Sequence, residues 1–171
     1  MRSTLQQSSS KKKDQQSSNN EHKKHPTIVC IDDDPDITRA IALMLSKYDV
    51  ELIPGFTGEQ GIWQAICREA DLVITDLRMP HGSGELVLEC LRASPRTSFV
   101  PVIVLTGLRD PNLKGRVRRL GAAGYLLKPV SIRELLAEIR KYVELKECDG
   151  GPVVSDTALP NATIQRCGPP D

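Results

Sequence analysis

A doubly wound parallel α/β sheet is the fold this sequence predicts, and three observations point to it. Strand-like apolar runs alternate five times with segments of helical spacing, and only a few residues connect them. Three of the runs, "TIVCI" at 27–31, "DLVIT" at 71–75 and "VPVIVLT" at 100–106, are continuously apolar or β-branched, as strands covered on both faces are. Right-handed crossovers between parallel strands then place helices on both sides of the sheet.

Each element has its own signal. The first strand ends in "DDDPD"; Pro35 suits a first helical turn, with an Asp before it as cap. Ile37, Ile41 and Leu45, with Ala40 and Met44, give that helix an apolar side. "VELIPGF" at 50–56 reads as a weaker strand, and Pro54 predicts an edge position because it cannot donate to a ladder. Thr57 is placed to cap a helix bearing Ile62 and Ile66. After the third strand comes "HGSG", then Val87, Leu88 and Leu91 at helical spacing. Leu113, Val117 and Leu120 follow the fourth strand, and "GYLL" at 124–127 is the fifth. Ser131 begins a last helix with Ile132, Leu135, Leu136, Ile139 and Val143 on one side.

Composition divides the 171 residues into three parts. Residues 1–25 are Ser, Gln, Asn, Lys and His with net charge +4, too polar to offset their ordering entropy, and are read as a disordered tail. Residues 149–171, rich in Gly, Pro, Asn and Thr, are read as a second tail. The domain is expected over 26–148, where 16 basic and 17 acidic residues nearly cancel and give no general case for nucleic-acid binding. Five widely spaced cysteines without a CxxC pair, three of them resembling small core fillers, suggest a reducing compartment. No run of 18 apolar residues predicts a membrane span, and no apolar leader opens the chain, so a cytoplasmic location is expected. The stretch after 148 is too short for a DNA-binding or enzymatic domain, which predicts a stand-alone module.

The functional crevice of such a sheet lies beyond the carboxyl ends of its strands. There the first strand delivers Asp32, Asp33 and Asp34, the third Asp76, the fourth Thr106 and Gly107, and the fifth Lys128 and Pro129. If the strand order is 2-1-3-4-5, the carboxylates of the first and third strands share one pocket. Crowded carboxylates favour protonation or a bound cation, and Mg²⁺ suits one or two carboxylates plus waters and a phosphate oxygen. A lysine opposite supplies a point charge for the same phosphate. A carboxylate beside the metal can attack phosphorus, which makes Asp76 the candidate phosphoacceptor. Taken singly, "DDDPD" is an acidic helix start, a terminal Thr an ordinary strand residue and "KP" a turn. Four such features at four successive strand ends are far more specific.

The stretches "IVCIDDDP" (28–35), "DLVITDLRMPHGSG" (71–84), "PVIVLTG" (101–107) and "GAAGYLLKPV" (121–130) together resemble the receiver domain of bacterial two-component response regulators, the chemotaxis-regulator-like family. The resemblance covers about 26–146 and implies a flavodoxin-like (βα)5 fold with strand order 2-1-3-4-5. It implies that Asp32 and Asp33 form the acidic pair, Asp33 being the closer metal ligand, and that Asp76 is phosphorylated with Mg²⁺ as cofactor. It implies that the Arg78 backbone carbonyl meets the metal, that Thr106 and Tyr125 are the switch pair, and that Lys128 contacts phosphate. A cis Lys128–Pro129 bond is also implied. Gly107 leaves the entrance open, while Arg78 and Leu108 flank the phosphoryl site. The implied partners are a histidine kinase or phosphotransfer protein, and a downstream protein docking on the face of the fourth helix, fifth strand and fifth helix. The implied role is signalling, with no catalysis beyond the domain's own phosphorylation and dephosphorylation.

Two other classes compete. A haloacid-dehalogenase-type phosphohydrolase needs a second Asp two residues after the first, where this chain has Arg78. A phosphorylation-independent interaction domain would not need the full acidic, Thr and Lys set. Nucleotide-binding Gly-rich motifs are absent. The basic segment 109–119, with Arg109, Lys114, Arg116, Arg118 and Arg119 against Asp110, reads either as a solvated helix face or as a docking surface for an acidic partner. His22 and His25 fit a solvated basic tail better than a metal site.

Overall fold

Strands and helices alternate as β1 (Thr27–Ile31), α1 (Pro35–Leu45), β2 (Glu51–Gly55), α2 (Gly58–Cys67), β3 (Leu72–Thr75), α3 (Gly84–Ala93), β4 (Val102–Thr106), α4 (Leu113–Arg119), β5 (Gly124–Leu127) and α5 (Ile132–Ile139). This computed structural model describes residues 25–80 and 83–148; the expected tails lie outside those residues, except for His25. His25 is placed at the entrance to β1, with Nδ1 against the Asp49 carboxylate.

The five strands form one parallel sheet in the order β2-β1-β3-β4-β5, as expected. Alternate side chains of the central strands enter two different cores. Val29, Ile31, Val73, Val102 and Val104 pack with Ala65 of α2, Val87, Leu88 and Leu91 of α3, and Leu113 and Val117 of α4. Ile28, Cys30, Leu72, Ile74, Ile103 and Leu105 pack with Ile41 and Leu45 of α1 and with Leu135, Leu136 and Ile139 of α5. Each fully buried Leu or Ile contributes about 1.5–3 kcal/mol relative to exposure, so the two layers fix the sheet between them. Pro54 lies in β2, whose only neighbour is β1, and so leaves no interior ladder bond unmade.

Helix starts follow the sequence signals. Asp34 caps α1 at Asp36 N, Thr57 caps α2 at Gln60 N, Ser83 caps α3 at Leu86 N, and Ser131 forms a capping box with Glu134. Helix α4 is the exception: it has seven residues, a glycine, Gly115, at the third of them, and no side-chain cap from Asn112.

Three details depart from the expectation. Ile132 is 53% exposed, so the buried stripe of α5 starts one turn later, at Leu135. The helix stops at Ile139, and Val143 is buried from the turn beyond it. Three cysteines are expected as core fillers, whereas among the described residues Cys30 is buried, Cys67 and Cys90 are half-buried and Cys148 is exposed.

The register sets up the strand ends. Ile31 lies opposite both Gly55 and Thr75, which brings the first residues after β1 and β3 level with each other. The ladder continues into the loops: Asp32 N donates to Gly55 O at 3.0 Å, Asp76 N to Ile31 O at 2.9 Å, and Lys128 N to Thr106 O at 2.8 Å.

Candidate functional site

Asp32 and Asp76 therefore leave neighbouring strands side by side, one position beyond a buried ladder. Both are largely buried, at 3% and 9% exposure, and two kinds of partner hold them. Backbone N–H groups fix one oxygen of each. Asp34 N donates to Asp32 Oδ1 at 3.1 Å, while Leu77 N and Arg78 N donate to Asp76 Oδ1 at 2.5 and 3.2 Å. The Lys128 ammonium takes the other two, donating to Asp32 Oδ2 at 2.5 Å and Asp76 Oδ2 at 2.9 Å. Lys128 reaches both because β5 ends level with β4, and the Lys128–Pro129 bond that turns the chain there is cis.

Charge is unbalanced in this pocket. One oxygen from each of Asp32, Asp33 and Asp76 can lie within 4.8 Å of the others, and Asp33 is exposed at the rim. Three carboxylates thus face one ammonium. Burial pushes the Asp32 carboxyl above the usual carboxylate range, outweighing Lys128 and the Asp34 N–H, and the Asp76 charge adds to the rise. Burial also acts on Asp76, but Lys128, the Thr106 hydroxyl and the Arg78 N–H outweigh it and hold its carboxyl below that range. Lys128 is desolvated too, yet its two carboxylate partners raise its pKa above the lysine norm. Of the two, Asp76 is the carboxyl held lower and Asp32 the one whose charge is least compensated. A hard, all-oxygen, net-negative donor set of this kind fits Mg²⁺ or a similar divalent ion.

The other expected residues surround this cluster. Thr106 is fully buried at the end of β4, and its Oγ1 accepts from Leu108 N at 3.3 Å. Gly107 is exposed, and a Cβ there would have nothing within 4 Å, so the entrance beside Thr106 is open. Arg78 gives its N–H to Asp76 while the residue as a whole is exposed. Leu108 packs against the α2–α4 core, so its side chain is part of that packing as well as flanking the site. Tyr125 is set back from the carboxylates; its hydroxyl donates to Leu108 O at 3.4 Å, so residue 108 connects it to Thr106. Cys30, one strand residue from the pocket, is inert: burial, with the Asp32 charge second, pushes its thiol up to about 12.

Two features were missed in the sequence. A Cβ on Gly84 would sit 2.0 Å from Asp76 O and 2.8 Å from Leu77 Cα, so α3 starts pressed against the backbone of Asp76 itself. The signal was present in the Gly that follows "HGS", though it carries no sign of what it touches. The second feature concerns the basic segment 109–119, one of whose cations is already engaged. Arg116 Nε lies 2.8 Å from Glu85 Oε1 and its Nη1 lies 3.6 Å from Asp110 Oδ2.

Comparison with known proteins places the same span in one group. The sequence model of the response regulator receiver domain matches residues 28–140. A probable transcriptional regulator ycf27 of Porphyridium aerugineum is 35% identical over 141 residues, covering 82% of this chain and 56% of that protein. The hybrid signal transduction histidine kinase D of Dictyostelium discoideum is 33% identical over 122 residues, 71% of this chain and 8% of that protein. The chain thus spans only part of the curated relatives it matches. Among solved structures, the chemotaxis protein CheY4 of Vibrio cholerae superposes with TM-score 0.66 at 24% identity, over 70% of this chain and 99% of that one.

Proposed function

The chain belongs to the response regulator receiver family, and on that premise we propose that it accepts a phosphoryl group on Asp76 and passes the change to a protein-docking face. The observation that carries the proposal is the shared lysine: Lys128 Nζ bridges Asp32 and Asp76, the carboxylates of two adjacent strand ends. The family's signalling role agrees with it, and no helix among the described residues is long and apolar enough to cross a membrane.

In the proposed transfer, a carboxylate oxygen of Asp76 attacks phosphorus on a histidine kinase or phosphotransfer partner. An O–P bond forms as the P–N bond of phosphohistidine breaks, and the imidazole nitrogen keeps the electron pair. Asp76 is suited to attack because its partners favour the carboxylate form and because Leu77 N and Arg78 N fix its orientation. Lys128 then has phosphoryl oxygens to pair with in place of the carboxylate it loses. Thr106 can donate its hydroxyl to the same oxygens, and exposed Gly107 leaves room for the donor. Asp32, Asp33 and Asp76 would hold Mg²⁺, with the Arg78 carbonyl as a further ligand; when bound, the ion offsets negative charge on the transferring group. Incubation with a small-molecule phosphodonor tests the whole proposal.

Proton competition gives a pH dependence. Because the folded-state pKa of Asp32 is raised, the folded protein holds that proton to higher pH than the unfolded chain does. Its contribution to stability is fully present below the unfolded value of about 3.9 and is lost as pH rises through the folded value. A divalent ion needs the carboxylate, so affinity should fall as the medium is acidified from neutrality through that raised range. Calorimetric Mg²⁺ titrations at several pH values read this directly, and an affinity independent of pH would remove Asp32 from the ligand set.

The switch is proposed to run from Thr106 to Tyr125. Drawing the Thr106 hydroxyl toward a phosphoryl oxygen removes the acceptor of Leu108 N, and Leu108 O is what holds the Tyr125 hydroxyl. Thr106→Ala should still accept phosphate but leave the ring resonances of Tyr125 unmoved. A wild-type displacement of those resonances in this variant would break the proposed link.

A further inference from the structure

Arg116 stands between two carboxylates whose anchors differ, and this points to a joint. Glu85, 2.8 Å from Arg116 Nε, is the second residue of α3, directly after Gly84. Gly84 is packed against Asp76 O so closely that no Cβ fits, so Glu85 is tied to the backbone that carries Asp76. Asp110, 3.6 Å from Arg116 Nη1, sits instead in the β4–α4 loop. Its own Oδ1 accepts from Asn112 N at 2.9 Å and its carbonyl from Leu113 N at 3.1 Å, so it also shapes the start of α4. That loop is the one hung on Thr106 through Leu108 N and on Tyr125 through Leu108 O. The Asp110 charge is close enough to raise the Tyr125 pKa alongside burial, the larger cause.

Helix α4 has little of its own to hold it in place. It is seven residues long, lacks a side-chain cap and carries Gly115 at its third position, which lowers helix stability relative to Ala. Its buried anchors are Leu113 and Val117. The Arg116 guanidinium meets its two carboxylates from separate nitrogens, Nε and Nη1, of one rigid planar fork, which a single lysine nitrogen does not reproduce. We infer that Arg116 is a positioning residue: it fastens α4 to the Asp76 backbone through Glu85 and to the switch loop through Asp110, and so holds the resting position of α4 until Thr106 is drawn away. The inference rests on the proposal that Asp76 is the phosphoacceptor, and it assigns the coupling to α4 to a specific pair of ion contacts.

All three side chains are partly exposed, so the effect is a population shift and not a loss of fold. Tyr125 ring and α4 amide resonances of the full chain are recorded without phosphodonor, and again with acetyl phosphate and Mg²⁺, for wild type, Arg116→Gln, Glu85→Gln and the double variant. Intact mass reports phosphoryl uptake in each. The expected result is normal uptake in all four. Unphosphorylated resonances in both single variants should be displaced toward the phosphorylated positions, corresponding to roughly a two- to five-fold larger active-like population. The double variant should be displaced no further than Arg116→Gln, because that single variant has already lost the Glu85 contact along with the one to Asp110. Arg116→Lys, which keeps the charge but replaces the Nε and Nη1 donors by one nitrogen, should be displaced less than Arg116→Gln. Normal uptake with wild-type resonances in Arg116→Gln would overturn the inference, as would additive displacements in the double variant. Absence of uptake on wild-type Asp76 is a different outcome: it removes the phosphoacceptor reading, and this inference with it.

Discussion

Asp76→Asn should fold like the wild type and take up no phosphoryl group. The substitution keeps the size and planar shape of a side chain whose oxygen accepts from Leu77 N and Arg78 N, so the loop retains both bonds. It removes the charge that makes the oxygen a nucleophile and the charge that pairs with Lys128. Asp32 keeps its own ion pair with Lys128, so the ammonium is not stranded. A fall in labelling rate of at least about 10³-fold is expected, corresponding to about 4 kcal/mol in the barrier. Metal affinity should fall as well, because one of three carboxylates is gone. Radiolabel or intact-mass time courses on both proteins measure the rate, and thermal unfolding shows whether the fold is kept. Labelling at the wild-type rate would move the phosphoacceptor elsewhere.

Gly84→Ala should damage the same site without touching a charged residue. The added methyl would sit 2.0 Å from Asp76 O, 2.8 Å from Leu77 Cα and 2.9 Å from Asp76 C, all backbone atoms that no side-chain rotation can clear. Either α3 retreats from the sheet, loosening Val87, Leu88 and Leu91 in the core, or the Asp76–Leu77 peptide turns and breaks the bonds that orient the carboxylate. Overpacking of this kind costs roughly 1–3 kcal/mol. We expect a lower denaturant midpoint together with a labelling rate reduced more than about tenfold. Gly107→Ala is the contrast for stability: its Cβ enters open space, and the denaturant midpoint should stay near wild type. Wild-type stability and labelling in Gly84→Ala would mean that α3 is free to move and that its start does not position Asp76.

Much of this was legible in the chain because its chemistry is concentrated where strands end. An apolar run followed by a polar or charged residue is readable in one dimension, and the ends of the first, third, fourth and fifth strands of a parallel sheet fall on one side of it. That Asp32, Asp76, Thr106 and Lys128 gather there was therefore legible before any coordinate, as was the edge position of Pro54. What could not be read depends on distance across the fold. Gly84 looks like any turn glycine until its contact with Asp76 O is seen. Arg116 was one of five cations in a basic run, and nothing in the run identifies Glu85, on a different helix, as its partner. Periodicity also overextended α5. Ile132 and Val143 fall at the right spacing, yet Ile132 is at the first helical position facing water and Val143 lies past the last turn. Spacing alone does not say where a helix stops when no Gly or Pro marks its end.

The central claim is that the lysine-bridged carboxylate at the end of β3 is the residue that carries phosphate. Its most direct test is to incubate the purified chain with acetyl phosphate and Mg²⁺, measure intact mass, and locate the adduct by peptide mapping. The expected result is the gain of one phosphoryl group, stable in acid and labile in base as an acyl phosphate is, dependent on the divalent ion and located on Asp76. No gain in mass, or an adduct located on any other residue, would contradict it.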